Sequence, residues 1–276
     1  MDRQEMKIRN SILCLFLVVT MLSGCDETAD YGICIISPEG CSETNGDNYY
    51  PMHSLVKFPQ ALYVADQMSR NGMDFDSLVT VHRDKLMQDT WSPMLETMGE
   101  TSEFSFRELL RLSLSESDNN ACDLLFELFG MPEAVDAFLK ELGLNHINVA
   151  VTERQMHDDF SRAADNCCTP LEMGHLLLWF NEHKADNAYY QEIWEIMASC
   201  NTGEDRIPAL FGDDCRIIHK TGTGFPPEEG LPQMNDAGIV LLPDGRILAI
   251  AVFVPHPTSD TALQEIVKRN LGDLFE

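Results

Sequence analysis

The chain is poor in basic residues and has no apolar run long enough to span a bilayer. It contains 19 lysines and arginines against 45 aspartates and glutamates, a formal net charge of −26 at pH 7. This deficit of positive charge argues against binding to nucleic acid and against electrostatic docking on anionic lipid. No spacing of histidines and cysteines resembles a zinc site, and the sequence shows no internal repeat or low-complexity tract.

The composition that is present is typical of an ordinary globular protein. Apolar residues make up 44% and charged residues 23% of the 276, as expected for a folded chain. The length lies near the upper limit for a single hydrophobic core. We expect one compact domain of two lobes, or two small domains, and a monomer.

The first stretch has the features of a targeting signal rather than of the fold. An apolar segment from Ile8 to Met21 ends at Leu22-Ser23-Gly24-Cys25, which looks like a lipobox. Residues 1–24 are then a cleaved signal peptide, Cys25 is acylated, and residues 25–30 form a short tether. Several acyl chains would hold the exported protein on a membrane of the bacterial envelope, facing the periplasm. The alternative is an ordinary secretory signal with an incidental cysteine.

Seven cysteines remain besides Cys14 and Cys25: Cys34, Cys41, Cys122, Cys167, Cys168, Cys200 and Cys215. An odd number leaves at least one thiol unpaired unless a bond forms between molecules. Cys34 and Cys41 could bridge a hairpin, whereas adjacent cysteines such as Cys167 and Cys168 rarely form a comfortable disulfide. The interpretation that we favour is a set of mostly small, buried thiols in a poorly oxidising envelope.

The hydrophobic pattern changes from strand to helix and back to strand. A strand is predicted over 33–37, then turns with a weak second strand over 39–48. Helical spacing predicts helices around 58–68, from 104–106 through 112, and over 121–129, 134–142, 170–180 and 190–200. Strands follow over 216–221, 237–242 and 246–254, a tight turn at 243–245 joins the last two, and a helix begins at 260.

This order predicts an α/β (α+β) fold over residues 31–276. An antiparallel sheet with flanking helices is built from both chain ends, residues 31–50 and 206–276. An all-helical lobe, residues 51–205, is inserted between them. The cleft between the lobes is the natural place for a site.

The first of three short motifs places a serine three residues before a lysine, in Ser54-Leu55-Val56-Lys57. On a helix, Ser54 and Lys57 share one face with Cβ atoms about 5–6 Å apart. A serine becomes a nucleophile when a base removes its proton, and a lysine can be that base if burial and a neighbouring cation lower its pKa. The same spacing occurs by chance in most proteins of this size, so alone it predicts little.

The other two motifs supply hydroxyl, amide and ammonium groups. Ser117-Asp118-Asn119 interrupts two predicted helices, and a turn there can point Ser117 at Lys57 and Asn119 at a substrate amide. The competing interpretation is a helix N-cap, which all three residue types favour.

The third motif, Lys220-Thr221-Gly222-Thr223-Gly224, ends a predicted strand. Its lysine and hydroxyl groups can bind a carboxylate, and its glycines permit close approach of the backbone to a ligand. The alternative is a strand that ends in a glycine turn.

Together and in this order, the three motifs resemble those of the class A serine β-lactamases. The flanking strings look like the CfxA- and PER-type extended-spectrum branch: Tyr50-Pro51-Met52-His53-Ser54, Val81-His82-Arg83-Asp84-Lys85-Leu86, Thr90-Trp91-Ser92-Pro93-Met94-Leu95 and Leu241-Leu242-Pro243-Asp244-Gly245-Arg246. The resemblance implies Ser54, Lys57, Ser117 and Glu153 as catalytic residues. It implies substrate binding by Trp91, Asn119, His157, Lys220, Thr221, Gly222 and Thr223. The backbone N–H groups of Ser54 and Thr223 would form an oxyanion hole.

Glu153 decides between two kinds of enzyme. A penicillin-binding protein is acylated by β-lactams and stays blocked, whereas a class A enzyme carries a glutamate that activates water. Thr152-Glu153-Arg154-Gln155-Met156-His157 resembles that loop, with His157 where most members have an asparagine. The competing interpretations are a solvated carboxylate for Glu153, a surface or packed imidazole for His157 and a core tryptophan for Trp91. We expect Trp91 to form a wall of the cleft and Arg206 to be structural.

The resemblance implies hydrolysis of β-lactam antibiotics, cephalosporins and penicillins, through a serine acyl-enzyme without a cofactor, and so antibiotic resistance. One alternative is a penicillin-binding or DD-peptidase-like protein that is acylated without turnover. The other is a non-catalytic lipoprotein that uses the fold as a binding module. This second alternative is worth weighing because the chain departs from the family pattern at one place. The family has a long helix before the first strand, and here only Asp26–Asp30 separate Cys25 from that strand. We therefore expect the N-terminal helix to be missing and apolar surface to be left bare.

Overall fold

The structure, a computed structural model, describes residues 31–225 and 230–275. The signal peptide, Cys25, the tether and the missing first helix concern residues outside this range. The strands are β1 (Gly32–Ser37), β2 (Gly40–Thr44), β3 (Tyr50–Pro51), β4 (Leu78–His82), β5 (Thr101–Ser105), β6 (Ile147–Asn148), β7 (Cys167–Cys168), β8 (Arg216–Gly224), β9 (Gln233–Leu241) and β10 (Ile247–Val254). The helices are α1 (Lys57–Asn71), α2 (Met94–Thr97), α3 (Phe106–Ser115), α4 (Asn119–Phe129), α5 (Pro132–Glu141), α6 (Glu153–Asp158), α7 (Pro170–His183), α8 (Ala188–Ala198) and α9 (Ala262–Phe275).

The main sheet is antiparallel and takes its strands from both ends of the chain, as the sequence predicts. Its order is β2-β1-β10-β9-β8, so the strand that carries Lys220 lies at an edge. The turn predicted at 243–245 joins β9 to β10, with Gly245 in the left-handed region at φ +87°. Because only glycine adopts such a conformation without strain, this turn fixes the register of the two strands.

Strand β10 explains why the sheet is buried on both faces. Every residue from 247 to 254 is apolar, and successive side chains point to opposite faces. Ala249, Ala251 and Phe253 pack in the cluster that fills the helical lobe, whereas Leu248, Ile250, Val252 and Val254 pack in a second cluster with α9. The bare apolar face that we expected is not found in the described sheet: Ile33, Ile35 and Val252 have no exposed surface.

The inserted lobe is not all-helical, which corrects the prediction. Strands β4 and β5 pair as an antiparallel ribbon, and β3, β7 and β6 form a small sheet. Phe104, which we placed at the start of a helix, lies in β5 opposite Val79. The helix begins two residues later because Ser105 accepts the N–H of Glu108 and Glu108 accepts that of Ser105, which is a capping box.

The cysteines are free thiols throughout the described residues. Cys34 and Cys41 lie on neighbouring strands with their sulfurs 3.7 Å apart and no bond between them. Cys34, Cys122 and Cys168 are buried, as our interpretation requires, whereas Cys41 is exposed. In the two described ranges, no helix is long and apolar enough to cross a membrane, and no group of three metal-binding side chains occurs.

Candidate active site

Ser54 stands in a tight helical turn that leads directly into α1. The turn, residues 53–56, is anchored by the fully buried side chains of Leu55 and Val56, and Lys57 opens the helix. Lys57 Nζ lies 2.9 Å from Ser54 Oγ. The serine and lysine therefore share one face, as predicted from their spacing.

Lys57 is completely buried and lies among four oxygen atoms. Besides Ser54 Oγ these are Ser117 O at 2.9 Å, Asn119 Oδ1 at 2.7 Å and Glu153 Oε1 at 2.8 Å. An ammonium group has three N–H donors. With four acceptors for three donors, one of these oxygens must share an N–H group with another or do without a full hydrogen bond. Nothing in the local spacing of Ser54 and Lys57 specifies the other three groups.

Glu153 is the first residue of α6 and is held there by two buried side chains. Its N–H donates to Asp123 Oδ1 at 2.8 Å, and the N–H of Arg154 donates to Asp123 Oδ2 at 2.9 Å. Asn166 fixes the preceding segment through the N–H groups of Ala150 and Val151. Burial, with the nearby charge of Glu153, raises the pKa of Asp123 to about 7. Glu153 itself is only 8% exposed, so the interpretation of a solvated loop carboxylate is wrong.

The Ser117-Asp118-Asn119 turn serves as both a cap and a source of site groups. Asp118 caps α4 by accepting the N–H of Ala121, and it also binds Ser92 Oγ. Ser117 has φ +59°, an uncommon conformation for a residue with a side chain. That conformation directs Ser117 O to Lys57 and leaves Ser117 Oγ to accept from Lys220 Nζ at 2.9 Å.

Strand β8 brings the third motif against the turn that carries Ser54. A Cβ atom added to Gly222 would lie 2.4 Å from Met52 O, and one on Gly224 would lie 2.3 Å from the ring of His53. Because the atom that Gly222 faces belongs to the backbone, only glycine fits there, whereas a side chain at 224 would have to displace the His53 ring. The close packing also sets the backbone of Thr223 beside the turn of Ser54.

Lys220 is fully buried beneath the cavity, with Thr221 O and Ser117 Oγ as its acceptors. Burial and the neighbouring charge of Lys57 lower the pKa of Lys220 to about 7. Thr221 Oγ1 lies 2.7 Å from Thr202 Oγ1. Thr223 Oγ1 accepts from Arg206 Nη2 at 2.6 Å.

Arg206, which we expected to be structural, lines the cavity. It also donates to Gly222 O and Asn235 O. Its guanidinium thus supports the β8 backbone while presenting positive charge beside Thr223. A structural role is therefore only part of its contribution.

The cavity has a volume of about 550 Å³. Of the predicted residues, Ser54, Trp91, Ser117, Asn119, Glu153, His157, Thr221 and Thr223 line it, while Lys57, Lys220 and Gly222 support it from below. Trp91 is 63% exposed and its indole N–H donates to Glu116 O. Trp91 therefore lies in the wall of the cavity, as predicted, and the alternative of a core tryptophan is wrong.

His157 faces the opposite wall rather than Glu153. Its Nε2 lies 3.3 Å from Asp89 O and 3.4 Å from Asp89 Oδ1. The imidazole therefore links α6 to the segment before Trp91, and both residues of this contact line the cavity.

His53 is a further residue that sequence reasoning missed. It has φ +50°, which costs about 1–3 kcal/mol in a residue with a side chain. Nε2 bonds Gln233 Oε1 at 2.6 Å, and the ring stacks on Phe160 at 6.4 Å. Burial lowers the pKa of His53. The only sequence signal was its place before Ser54.

Three comparisons with known proteins place the chain in a family. A model of the beta-lactamase enzyme family matches residues 25–273. The extended-spectrum beta-lactamase PER-1 of Pseudomonas aeruginosa is 32% identical over 243 residues, 87% of this chain and 79% of that protein. A beta-lactamase of Phocaeicola vulgatus is 35% identical over 226 residues, 80% of this chain and 70% of its own. The crystal structure of the TLA-3 extended-spectrum beta-lactamase superposes with a TM-score of 0.84 at 30% identity, covering 91% of this chain and 94% of that one.

Proposed function

Because this chain belongs to the beta-lactamase enzyme family and hydrolyses β-lactams as a class A serine enzyme, we propose that Ser54 is its nucleophile and Glu153 its deacylation base. One observation carries the proposal. The buried Lys57 Nζ lies 2.9 Å from Ser54 Oγ and 2.8 Å from Glu153 Oε1. A single ammonium thus joins the group that attacks to the group that activates water.

In the first half-reaction, Ser54 Oγ attacks the lactam carbonyl carbon and loses its proton. The acceptor is Lys57, after its ammonium has passed a proton to Glu153 Oε1 at 2.8 Å and become a neutral amine, or it is Glu153 through a water molecule. Both routes remain open. The carbonyl oxygen becomes an oxyanion and is met by the backbone N–H groups of Ser54 and Thr223. The C–N bond of the ring then breaks.

The departing nitrogen takes the hydroxyl proton of Ser117. Two contacts support this role: Ser117 Oγ accepts from Lys220 Nζ at 2.9 Å, and Ser117 O accepts from Lys57 Nζ. The Lys220 ammonium can therefore return a proton to the Ser117 hydroxyl after the transfer, while the Lys57 contact holds the Ser117 backbone in place. The product of this half-reaction is an ester between Ser54 and the opened β-lactam.

In the second half-reaction, Glu153 removes a proton from water, and the resulting hydroxide attacks the ester. The carboxylate is suited to this because its Oε1 is buried and, among the described residues, has no hydrogen-bond donor besides the Lys57 ammonium. Asp123 and Asn166 hold the backbone at and before Glu153, which positions the residue that carries the carboxylate. The ester bond to Ser54 Oγ then breaks, Ser54 regains its proton and the enzyme is regenerated.

The carboxylate common to β-lactam substrates binds at the other side of the cavity. Lys220, Thr221 and Thr223 are its proposed partners, and Arg206 adds a second cation 2.6 Å from the Thr223 hydroxyl. A local cluster of this kind is needed because the chain as a whole carries a net charge of −26. The field of the whole protein would otherwise repel an anionic substrate.

Cephalosporins and penicillins are the proposed substrates. Two relatives are named extended-spectrum beta-lactamases. The cavity is walled by Trp91 and Phe225, which are 63% and 69% exposed. Such exposed aromatic faces offer apolar contact to a substrate side chain without closing the cavity.

Hydrolysis of a chromogenic cephalosporin by the purified protein tests the proposed roles. We expect rapid turnover, and we expect Ser54→Ala to lower it to background while the melting temperature stays unchanged. Residual turnover in Ser54→Ala within about tenfold of the parent would contradict a serine nucleophile, because removing such a group costs several orders of magnitude. Stable acylation of the parent without turnover would instead favour the penicillin-binding alternative. If the protein neither hydrolyses nor binds the cephalosporin, the alternative of a non-catalytic binding module with another ligand would be favoured.

We further propose that the chain acts as a monomer anchored to a membrane of the cell envelope through acylated Cys25. Class A relatives are typically exported to the periplasm or envelope, and the string Leu22-Ser23-Gly24-Cys25 supports the lipid anchor. In cells fed a tagged fatty acid, label should appear on the parent protein. It should be absent from Cys25→Ala, which should fractionate with soluble envelope proteins.

A further inference from the structure

A cysteine, a histidine and an aspartate form a connected cluster beside the cavity, and the proposed mechanism uses none of them. Cys200 follows α8, and its thiol faces the imidazole of His219. His219 Nδ1 lies 2.9 Å from Asp236 Oδ1. His219 and Asp236 are buried, whereas Cys200 is of intermediate exposure, so Cys200 is the most accessible residue of the cluster.

The charges around the sulfur favour its anion. Burial alone would raise the pKa of the Cys200 thiol, but His219 and Lys220 lower it to about 7. Asp236 in turn holds the imidazole protonated, and raises the pKa of His219 to about 10 although burial opposes this. The remaining neighbours of the sulfur are neutral: Thr202 Oγ1 and the carbonyl oxygens of Leu114, Ser115 and Thr202.

Other cysteines of the chain lie in surroundings of the opposite kind. Burial raises the pKa of Cys122 and Cys168 well above the usual value for a thiol, and it raises that of Cys215 as well. Because the thiolate is the reactive form, these three are poor nucleophiles at neutral pH. Cys215 is partly exposed like Cys200 and is therefore the natural control.

The cluster is connected to the substrate site through two threonines. Cys200 Sγ lies 3.4 Å from Thr202 Oγ1, and Thr202 Oγ1 lies 2.7 Å from Thr221 Oγ1. Both threonines line the cavity. An atom added to the sulfur would compete for the space and the hydrogen bond of Thr202, and so disturb Thr221.

We propose that Cys200 is a peroxide-reactive nucleophile whose oxidation switches off β-lactam hydrolysis. The thiolate attacks one oxygen of a small peroxide, an S–O bond forms and the O–O bond breaks. Sulfur loses two electrons and becomes a sulfenic acid, while the peroxide is reduced. With hydrogen peroxide, the hydroxide that leaves takes the proton of the His219 imidazolium and departs as water. The inhibitory half of the proposal rests on the proposed function.

The experiment treats the full protein with hydrogen peroxide in the presence of dimedone, which traps sulfenic acids, and maps the adduct by peptide mass. In parallel, peroxide alone is applied and hydrolysis of a chromogenic cephalosporin is followed. We expect one dimedone adduct on the Cys200 peptide. We also expect a loss of activity of about tenfold or more that a thiol reductant restores, because sulfenic acids are reversible.

Variants separate this effect from oxidation of the 14 methionines. Cys200→Ser should keep its activity within about twofold under the same treatment and take up no dimedone, whereas Cys215→Ser should behave like the parent. Should Cys200→Ser fold poorly by melting temperature, the rate of alkylation of parent Cys200 by iodoacetamide gives an independent measure. That rate should rise through pH 7 and fall after peroxide treatment.

Three results would overturn the proposal: an adduct elsewhere than Cys200, equal inactivation of Cys200→Ser, or full activity in a protein that is fully modified at Cys200. Adduct mapping does not depend on turnover. A protein that forms the Cys200 adduct but hydrolyses no cephalosporin before treatment would therefore contradict the proposed function and leave the reactivity of Cys200 established.

Discussion

Lys57 Nζ and Glu153 Oε1 lie 2.8 Å apart, and the lysine side chain is fully buried while the glutamate side chain is 9% exposed. Breaking such a pair by removing one charge is costly, because the other is left buried without compensation. In this site the pair also lies within reach of Ser54, so its proton can be shared with the reacting group. Besides stabilising the fold, the ion pair therefore places a proton within reach of Ser54.

Replacing Glu153 with glutamine is expected to separate the two half-reactions. Glu153→Gln keeps the shape of the side chain but cannot remove a proton from water, so the acyl-enzyme should accumulate. Intact-mass spectra after mixing with a cephalosporin should show one adduct of the opened drug, and steady-state turnover should fall by a factor of about 10³ or more.

The neighbouring Gln155→Glu serves as the control, since it changes charge on the same helix while keeping a side chain that can accept the Thr152 N–H. It should turn over substrate at close to the parent rate. A Glu153→Gln protein that hydrolyses cephalosporin with no detectable adduct would remove Glu153 from the role of deacylation base.

The depressed pKa of Lys220, about 7, predicts how substrate capture depends on pH. The lysine is charged below this value and loses its charge as the pH rises through it. Attraction for the substrate carboxylate should weaken in the same window, so kcat/KM, which reports the free enzyme, should fall above pH 7.

Lys220→Arg provides the matched variant, because arginine stays protonated throughout this range. Its kcat/KM should be lower at neutral pH, since the guanidinium does not reproduce the contact with Ser117 Oγ, but the alkaline decline near pH 7 should disappear. An unchanged decline in Lys220→Arg would assign that titration to another group.

Gly222→Ala is expected to damage the site without unfolding the protein. The new methyl group would lie 2.4 Å from Met52 O, so β8 must move away from the turn that carries Ser54. An alignment error of about 1 Å can cost on the order of 10² in rate. We expect kcat to fall by about that factor, with a melting temperature only a few degrees lower.

Gly99→Ala is the control for this variant. Gly99 is exposed and an added Cβ would meet no atom closer than 3.9 Å, so activity and melting temperature should both match the parent. Equal activity of Gly222→Ala and the parent would show that the oxyanion site tolerates movement of β8.

The helices and strands that were predicted well are those whose packing follows a single local rule. The continuous apolar run of β10 required burial on both faces, and the Pro243-Asp244-Gly245 turn required a hairpin. Strands β4 and β5 were missed because each is only 5 residues long and their ribbon is partly exposed, with Leu78 60% exposed.

By itself the sequence indicated the candidate reacting groups, because S-x-x-K, S-D-N and K-T-G each place a few side chains on one local segment. It also predicted that both faces of β10 are buried, and it left a helix N-cap at residues 117–119 as an alternative, which the structure assigns to Asp118. Only the tertiary structure decided what surrounds them: Asp123 and Asn166 behind Glu153, Arg206 on Thr223 and His53 against Gly224. The physical reason is that these contacts join segments far apart in the chain. Their distances are set by the packing of helices and sheet, which no local spacing encodes.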